Sequence, residues 1–321
     1  MPKAFITGIN GQDGSYLAEH LLSLGYEVGG LVRRSSVAEN QTYRINAIEG
    51  NLKTYYGDLI DQNSINDALR HFKPDLIFNL AAQSHVRLSF DMPGFTAQVN
   101  AIGALNVFTA AKENCEGARI YQASSSEMFG TSVDSDNYQR ETTPMHPVSP
   151  YGCSKLYAYS IARNFRRAYG LHVSNGILFN HESPRRGTNF VTAKVVKGAL
   201  DIKYKREKFL ELGNLDSYRD WGHSYDYTKA MIKLLEYKDP LDIVISTGKA
   251  HSVKDLCKVV FSKLGMDYTE HIKINPKFLR PQELPYLQGD STKAKQVLGW
   301  EPEFTFETLI EDMITHFEAF Y

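Results

Sequence analysis

Lys3-Ala4-Phe5-Ile6-Thr7-Gly8-Ile9-Asn10-Gly11-Gln12-Asp13-Gly14-Ser15 is the stretch that decides the fold. Ala4 to Thr7 reads as a short buried strand. Gly8, Gly11 and Gly14 follow at a G-x-x-G-x-x-G spacing, and Ser15 to Leu24 carries a helical pattern stopped by Gly25. Strand, glycine-rich turn and helix in this order suit a dinucleotide. Gly8 permits the tight turn, Gly11 lets backbone approach a pyrophosphate, and Gly14 packs the helix on the strand. Three glycines alone are a weak signal, because turns favour glycine; the strand–helix setting gives them weight. Asn10, Gln12 and Asp13 share the turn and join the glycines as candidate cofactor-binding residues.

The next strand, Tyr26 to Val32, ends in Arg33-Arg34-Ser35-Ser36. An acidic residue here would hold the adenosine ribose of NAD. Two guanidiniums and two hydroxyls instead match a 2′-phosphate, so the expected cofactor is NADP, with a solvated basic loop as the competing reading. Leu52 to Tyr56 is a third strand, closed by Gly57-Asp58-Leu59. Asp58 either accepts from an adenine amino group or caps the helix expected over Asp61 to Phe72. A fourth strand, Asp75 to Asn79, runs into Leu80-Ala81-Ala82, small enough for backbone to lie against a cofactor. Ser84 is counted with the substrate, and His85 reads as a satisfied polar residue. A helix is expected over Phe95 to Glu113, and a fifth strand, Arg119 to Ala123, delivers Ser124-Ser125-Ser126-Glu127. This alternation argues for an α/β fold, a Rossmann-like doubly wound parallel sheet whose ligands bind beyond the carboxyl ends of its strands. After a strand from His172 to Phe179 the alternation weakens, so a smaller C-terminal substrate-binding lobe is expected. The division is 1–180 for the dinucleotide-binding and catalytic part and 181–321 for the lobe, with some later segments returning to the first part.

With 321 residues, 42% of them hydrophobic, the chain can bury a sizeable core. A formal net charge of −1 gives no steering toward nucleic acid or anionic membrane. Cys115, Cys153 and Cys257 form neither a close pair nor a metal-ligand spacing, which fits a reduced cytoplasm, no disulfide framework and no metal. No apolar run reaches a membrane-spanning length.

Tyr-x-x-x-Lys occurs three times, at Tyr151/Lys155, Tyr204/Lys208 and Tyr225/Lys229. Only the first follows the serine-bearing strand, with Ser149-Pro150 suiting a helix start. On a helix the Lys155 ammonium would sit near the Tyr151 phenol and lower its pKa toward neutrality. The other two pairs read as solvated helix faces. Ser125 would hydrogen-bond an alcohol being oxidised. Glu127 goes beyond that need: a carboxylate there suits loss of water next to a ketone, taking the acidified proton and returning one to the departing hydroxyl. The bland alternatives are a polar turn and a surface glutamate.

The segments TGINGQDGSYLAEHLL, VRRSS, NLAAQSHV, QASSSEMFG, SPYGCSKLYAY, LFNHESPRRG, LGNLDSYRDWGH and GDSTKAKQVLGW span almost the whole chain. Through them it resembles the GDP-mannose 4,6-dehydratase family of extended short-chain dehydrogenase/reductases. The resemblance implies Tyr151 as base at the carbon 4 hydroxyl, Lys155 supporting it and binding the nicotinamide ribose, and Ser125 bonding the carbon 4 oxygen. Glu127 would take the carbon 5 proton and assist loss of the carbon 6 hydroxyl, with the same hydride returning to carbon 6. It also implies a homodimer or homotetramer. Ser125 stands where the family usually has Thr. His146 and Val148 depart from an aromatic or Asn and from Arg, which opens a related GDP-sugar such as GDP-manno-heptose as an alternative to GDP-mannose. Ala193 replaces a basic residue common in the family, so nucleotide affinity is expected to differ.

A nucleotide sugar carries a diphosphate, so the lobe needs cations. Arg219 and Arg280 are the candidates. Asn180 and Lys194 match family positions for the diphosphate-sugar region and the base, and Glu283 is placed to bond ribose hydroxyls. The amphipathic stretches Ser252–Leu264 and Phe306–Tyr321 are assigned to packing or subunit contact. A nucleotide-sugar epimerase would share every feature except the need for Glu127. A non-catalytic dinucleotide sensor would have no use for the tyrosine–lysine pair.

Overall fold

Seven parallel strands form the main sheet among the residues described by the computed structural model, 1–33, 43–279 and 281–321. Arg34, Ser35 and Arg280 lie outside the described residues. The first half alternates strand and helix: β1 (Lys3–Thr7), α1 (Gln12–Ser23), β2 (Glu27–Val32), β3 (Leu52–Tyr56), α2 (Gln62–Phe72), β4 (Leu76–Asn79), α3 (Val86–Asp91), α4 (Pro93–Ala97), α5 (Gly103–Asn114), β5 (Arg119–Ser125), α6 (Pro150–Tyr169) and β6 (His172–Leu178). Then come β7 (Asn180–Glu182), α7 (Val191–Lys203), β8 (Leu210–Leu212), β9 (Tyr218–His223), α8 (Ser224–Glu236), β10 (Asp242–Ile245), β11 (Ala250–Ser252), α9 (Val253–Lys263), β12 (Ile272–Ile274), β13 (Tyr286–Leu287), α10 (Thr292–Leu298) and α11 (Phe306–Glu318).

The sheet order is β10-β6-β5-β4-β1-β2-β3, so the order reverses between β1 and β4 and opens a crevice at their carboxyl ends. Helices cover both faces, which is why β4, Leu-Ile-Phe-Asn, is buried at every position. On one face Leu17, Leu21, Tyr227, Met231 and Leu235 from α1 and α8 pack together; on the other, Leu69, Phe72, Val107, Phe108 and Phe165 from α2, α5 and α6 do so. A third core, built by α7, α9 and α11 around Trp221, belongs to the smaller sheets β11-β9-β13 and β12-β8. The two C-terminal amphipathic stretches thus pack inside the chain. Among the described residues no helix is long and apolar enough to cross a membrane.

Four expectations are corrected. The cap of α2 is Asp61, whose carboxylate accepts from the Asn63 and Ser64 amides at 3.1 and 3.5 Å; Asp58 instead accepts from Ile60 N. The helix expected over Phe95–Glu113 is α4 and α5 joined by a π-helical turn, Gln98–Ile102. Asn100 in that turn bonds Gln83 and Ser154, a tertiary demand that no periodicity carries. Tyr204 and Lys208 share no helix, because α7 stops at Lys203 and Lys205 adopts φ 59°. Tyr225 and Lys229 do lie on α8, but half-buried: Tyr225 meets His20 edge-on and Lys229 pairs with Glu303 at 2.7 Å.

Candidate active site

The glycine turn is closed tightly enough to explain its composition. Gly8 has φ +72°, and a Cβ on Gly14 would stand 2.2 Å from Gly8 O. The first turn of α1 therefore meets the crevice with backbone N–H groups foremost. Gln12 and Asp13 turn their side chains elsewhere. Gln12 Nε2 donates to His181 O at 3.1 Å, and Gln12 Oε1 accepts from Ser183. Asp13 accepts from Ser224 at 2.6 Å and pairs with His181 Nε2 at 2.8 Å.

β5 carries Ser125 to the crevice, and a 3₁₀ turn over Ser126–Met128 follows at once. Ser125 Oγ accepts from Glu127 N at 3.2 Å, which fixes the serine against the glutamate. Both are buried. Ser149 caps α6 by accepting from Gly152 N at 3.0 Å, with Pro150 in the first position, so Tyr151 and Lys155 project from the first turns. Tyr151 N donates to Ser89 Oγ at 3.2 Å, and Lys155 Nζ donates to Ala123 O at 2.9 Å.

The phenol is not poised as the i,i+4 argument expects. Burial pushes Tyr151 up to about 12, Ser125 and the Arg186 guanidinium pull it down, and Glu127 adds to the rise. Burial also brings Lys155 down to about 8. The Lys155 ammonium lies 5.8 Å from the Tyr151 ring centroid and spends a hydrogen bond on a backbone carbonyl. Desolvation sets the phenol, and Lys155 contributes nothing resolvable to it in this geometry.

One cavity of about 930 Å³ has every described candidate on its wall. On the cofactor side stand Gly8, Asn10, Gly11, Gln12, Asp13, Gly14, Arg33, Asp58, Leu59, Leu80, Ala81 and Ala82; at the centre, Ser125, Glu127, Tyr151 and Lys155; toward the lobe, Ser84, Asn180, Lys194, Arg219 and Glu283. Lys194 donates to Glu211 O at 2.7 Å and lies 3.5 Å over the Phe278 ring; burial, then Lys277, lowers its pKa. Arg219 is buried and donates to Tyr218 O and Leu284 O, each at 2.8 Å. His146, Val148 and Ala193 do not line the cavity. His146 meets Ser132, Val148 packs on a core cluster, and Ala193 is fully buried in the lobe.

Residues beyond the sequence reading also line the cavity. Arg44 donates to Arg185 O at 2.9 Å and Asn10 O at 3.4 Å, and forms no ion pair with described residues. Arg186 pairs with buried Glu182 at 2.8 Å and lies 3.5 Å over the Phe190 ring. Arg44 follows the basic loop closely enough that basic spacing was the one available signal; Arg186 lies in a motif quoted above without a role.

The family described as GDP-mannose 4,6 dehydratase matches residues 5–313. An Arabidopsis thaliana protein named GDP-mannose 4,6 dehydratase 1 is 46% identical over 323 residues, covering 97% of this chain and 88% of its own length. A Homo sapiens protein named GDP-mannose 4,6 dehydratase is 45% identical over 339 residues, covering 97% of this chain and 90% of its own. Among solved structures, the Thermotoga maritima UDP-glucose 4-epimerase with UDP-glucose superposes with a TM-score of 0.87 at 25% identity, covering 99% of each chain. DesIV from Streptomyces venezuelae, a dTDP-glucose 4,6-dehydratase with NAD and TYD bound, gives 0.85 at 24% identity over 99% of this chain and 97% of its own, and shares the fold. Matches of this extent and identity settle the kinship, and the chain belongs to the GDP-mannose 4,6-dehydratase family.

Proposed function

We propose that the chain converts GDP-mannose to GDP-4-keto-6-deoxymannose by internal hydride transfer and loss of water, with NADP bound. The observation that carries the reading is Glu127 on the wall of the cavity that Ser125 and Tyr151 also line, its backbone amide bonded to Ser125 Oγ and its carboxylate close enough to raise the Tyr151 pKa. A phosphorylated dinucleotide fits the residues present: the turn at Gly8 and Gly14 leaves no room for side chains, and Arg33 and Arg44 face the cavity without described carboxylate partners. NADP, when bound, supplies the hydride acceptor that empties carbon 4 and later refills carbon 6, so it is not consumed.

Ser125 and Tyr151 would hold the carbon 4 hydroxyl, with Tyr151 taking its proton. A phenol at about 12 needs positive charge brought nearby to do so, and Lys155 is the candidate to bring it. The resulting ketone acidifies the carbon 5 proton, which Glu127 removes. The same carboxyl then protonates the carbon 6 hydroxyl, and water leaves; as hydride returns to carbon 6, the proton held by Tyr151 would go to carbon 5, which balances the step and restores the base. Lys194, Arg219 and Glu283 line the same cavity, which supports a role for them toward the nucleotide half. Since His146, Val148 and Ala193 do not line the cavity, their departures supply no ground for preferring a heptose or for altered nucleotide affinity. A homodimer or homotetramer is proposed from the family kinship.

GDP-mannose deuterated at carbon 4 tests the reaction. The expected product is lighter by one water and carries the deuterium at carbon 6. A product without the label, or no dehydrated product, overturns the reading. Glu127→Gln should slow dehydration about 10²–10⁴-fold and leave hydride transfer partly intact; an unchanged dehydration rate would exclude Glu127 as the acid/base group.

A further inference from the structure

Between the apolar floor of the sheet and the cavity lies a buried polar row. On the face packed by α5 and α6, β1, β4 and β5 first present Phe5, Ile77 and Ile120, which belong to one hydrophobic cluster. Two positions nearer the carboxyl edge, the same strands present Thr7, Asn79 and Gln122, in register with one another. Their exposures are 1%, 3% and 2%. Burying three such groups is costly unless each is bonded, and an apolar row would stand there at no such cost.

The bonds run in one direction. Thr7 Oγ1 accepts from Leu80 N and Ala81 N, both at 3.1 Å. With those lone pairs used, its proton goes to Asn79 Oδ1 at 2.7 Å. That orients the Asn79 amide, whose Nδ2 donates to Gln122 Oε1 at 2.8 Å. Gln122 Nε2 is then left to donate to Ala123 O at 3.0 Å. The same carbonyl receives the Lys155 ammonium, which forms no salt bridge with a carboxylate among the described residues. The chain begins at the backbone of the cofactor wall and ends at Lys155.

We propose that Gln122 is a positioning residue for Lys155: the Thr7–Asn79–Gln122 chain holds the Ala123 carbonyl where it fixes the ammonium in place and in its charged form. This rests on the reading of Tyr151 and Lys155 as the reacting pair. Gln122 does not line the cavity, so it acts through its partners: the Ala123 carbonyl that receives Lys155 on one side, and Asn79 on the other. Burial disfavours the ammonium, and an oriented carbonyl opposes that.

Three variants test it, with far-ultraviolet circular dichroism as the check on folding. Gln122→Met should lower kcat about tenfold or more, leave KM for GDP-mannose within about threefold, and move the alkaline limb of the pH–rate profile about one unit lower. Thr7→Val breaks the chain two bonds away and should move the limb in the same direction, while Thr7→Ser, which keeps the hydroxyl, should restore the parental profile. Thr7→Val decides the matter if Gln122→Met does not fold. An alkaline limb unmoved in a folded Gln122→Met or Thr7→Val enzyme overturns the proposal. Lys155→Met is read separately: if it kept full activity the tyrosine–lysine reading would fail, and the relay with it. If Lys155→Met is inactive while the limb stays unmoved in Gln122→Met, the relay alone fails.

Discussion

Tyr151 is held in a place hostile to its own ionisation. Its phenol is pushed up to about 12, first by burial, and the nearest helix-mate ammonium is committed to a carbonyl. Deprotonating it therefore requires positive charge brought near the phenol. Tyr151→Phe should cut kcat about 10²–10⁴-fold while the NADP dissociation constant, followed by fluorescence titration, stays within a few-fold; a comparable loss of NADP binding would assign Tyr151 a mainly cofactor-holding role. The placement of this residue on the cavity wall was legible from spacing, because a serine-bearing strand end followed by Ser-Pro-Tyr-x-x-x-Lys leaves little choice of geometry. Its titration was not, since desolvation depends on how α6 is covered and no local pattern encodes that. Gln122 was invisible for a related reason: its amide matters through a carbonyl and a lysine that only strand register brings together.

The segment after β6 is stitched to the first turns of α1. His181 donates from both ring nitrogens, to Phe179 O at 2.7 Å and to Asp13 at 2.8 Å, while Arg185 reaches Ser15 at 2.9 Å and Glu19 at 2.6 Å. Two acceptors on one ring require the imidazolium. Burial works against that charge, but Asp13 overrides it, and the His181 pKa is raised. Asp13 is lowered in turn, with His181 and Ser224 overcoming its burial. A raised histidine contributes stability that is complete below its unfolded value of about 6.5 and is lost as pH rises through the folded value. The melting temperature should therefore fall from about pH 6.5 upward. His181→Asn, stripped of the titrating group, should be less stable by about 3 kcal/mol at pH 6 and show a flatter decline above it; an identical slope in both proteins would exclude His181 as the source. From sequence, Asp13 reads as a cofactor ligand on a helix N-terminus, and α1 and α6 were readable from their caps. This stitching was not, because its partners lie more than 160 positions apart. α3 was missed because its cap is His85, outside the residues that usually announce a helix start.

At the scale of the whole chain, the alternating first half and its crevice were legible because each strand and helix is consecutive in sequence. The way the second half re-enters was not, since Asp242–Ile245 is one short apolar strand among several. We propose the division near residue 180 as one of function, with the two parts sharing a core. β10 pairs with β6 at Ile243↔Gly176 and Ile245↔Leu178, so the main sheet takes its edge strand from beyond 180. One face of that sheet is also packed by residues from beyond 180, among them Tyr227, Met231, Leu234, Leu235, Ile243, Ile245 and Trp300, none more than 2% exposed. Without them, cluster members that stay in 1–180, among them Ile6, Leu17, Leu21, Phe78 and Tyr121, lose their cover; at roughly 1.5–3 kcal/mol for each such side chain uncovered, the loss is comparable to the whole stability of about 5–15 kcal/mol typical of a native protein. A fragment ending at residue 180 should therefore lack a cooperative melt by circular dichroism and should bind a hydrophobic dye strongly, although every residue of the proposed catalytic group is present in it. Adding NADP should not rescue it, because even a hundredfold excess over the dissociation constant contributes only about 2.7 kcal/mol. A cooperative transition in the fragment within about 10 °C of the full chain would mean that the first part folds independently and that the shared core is dispensable.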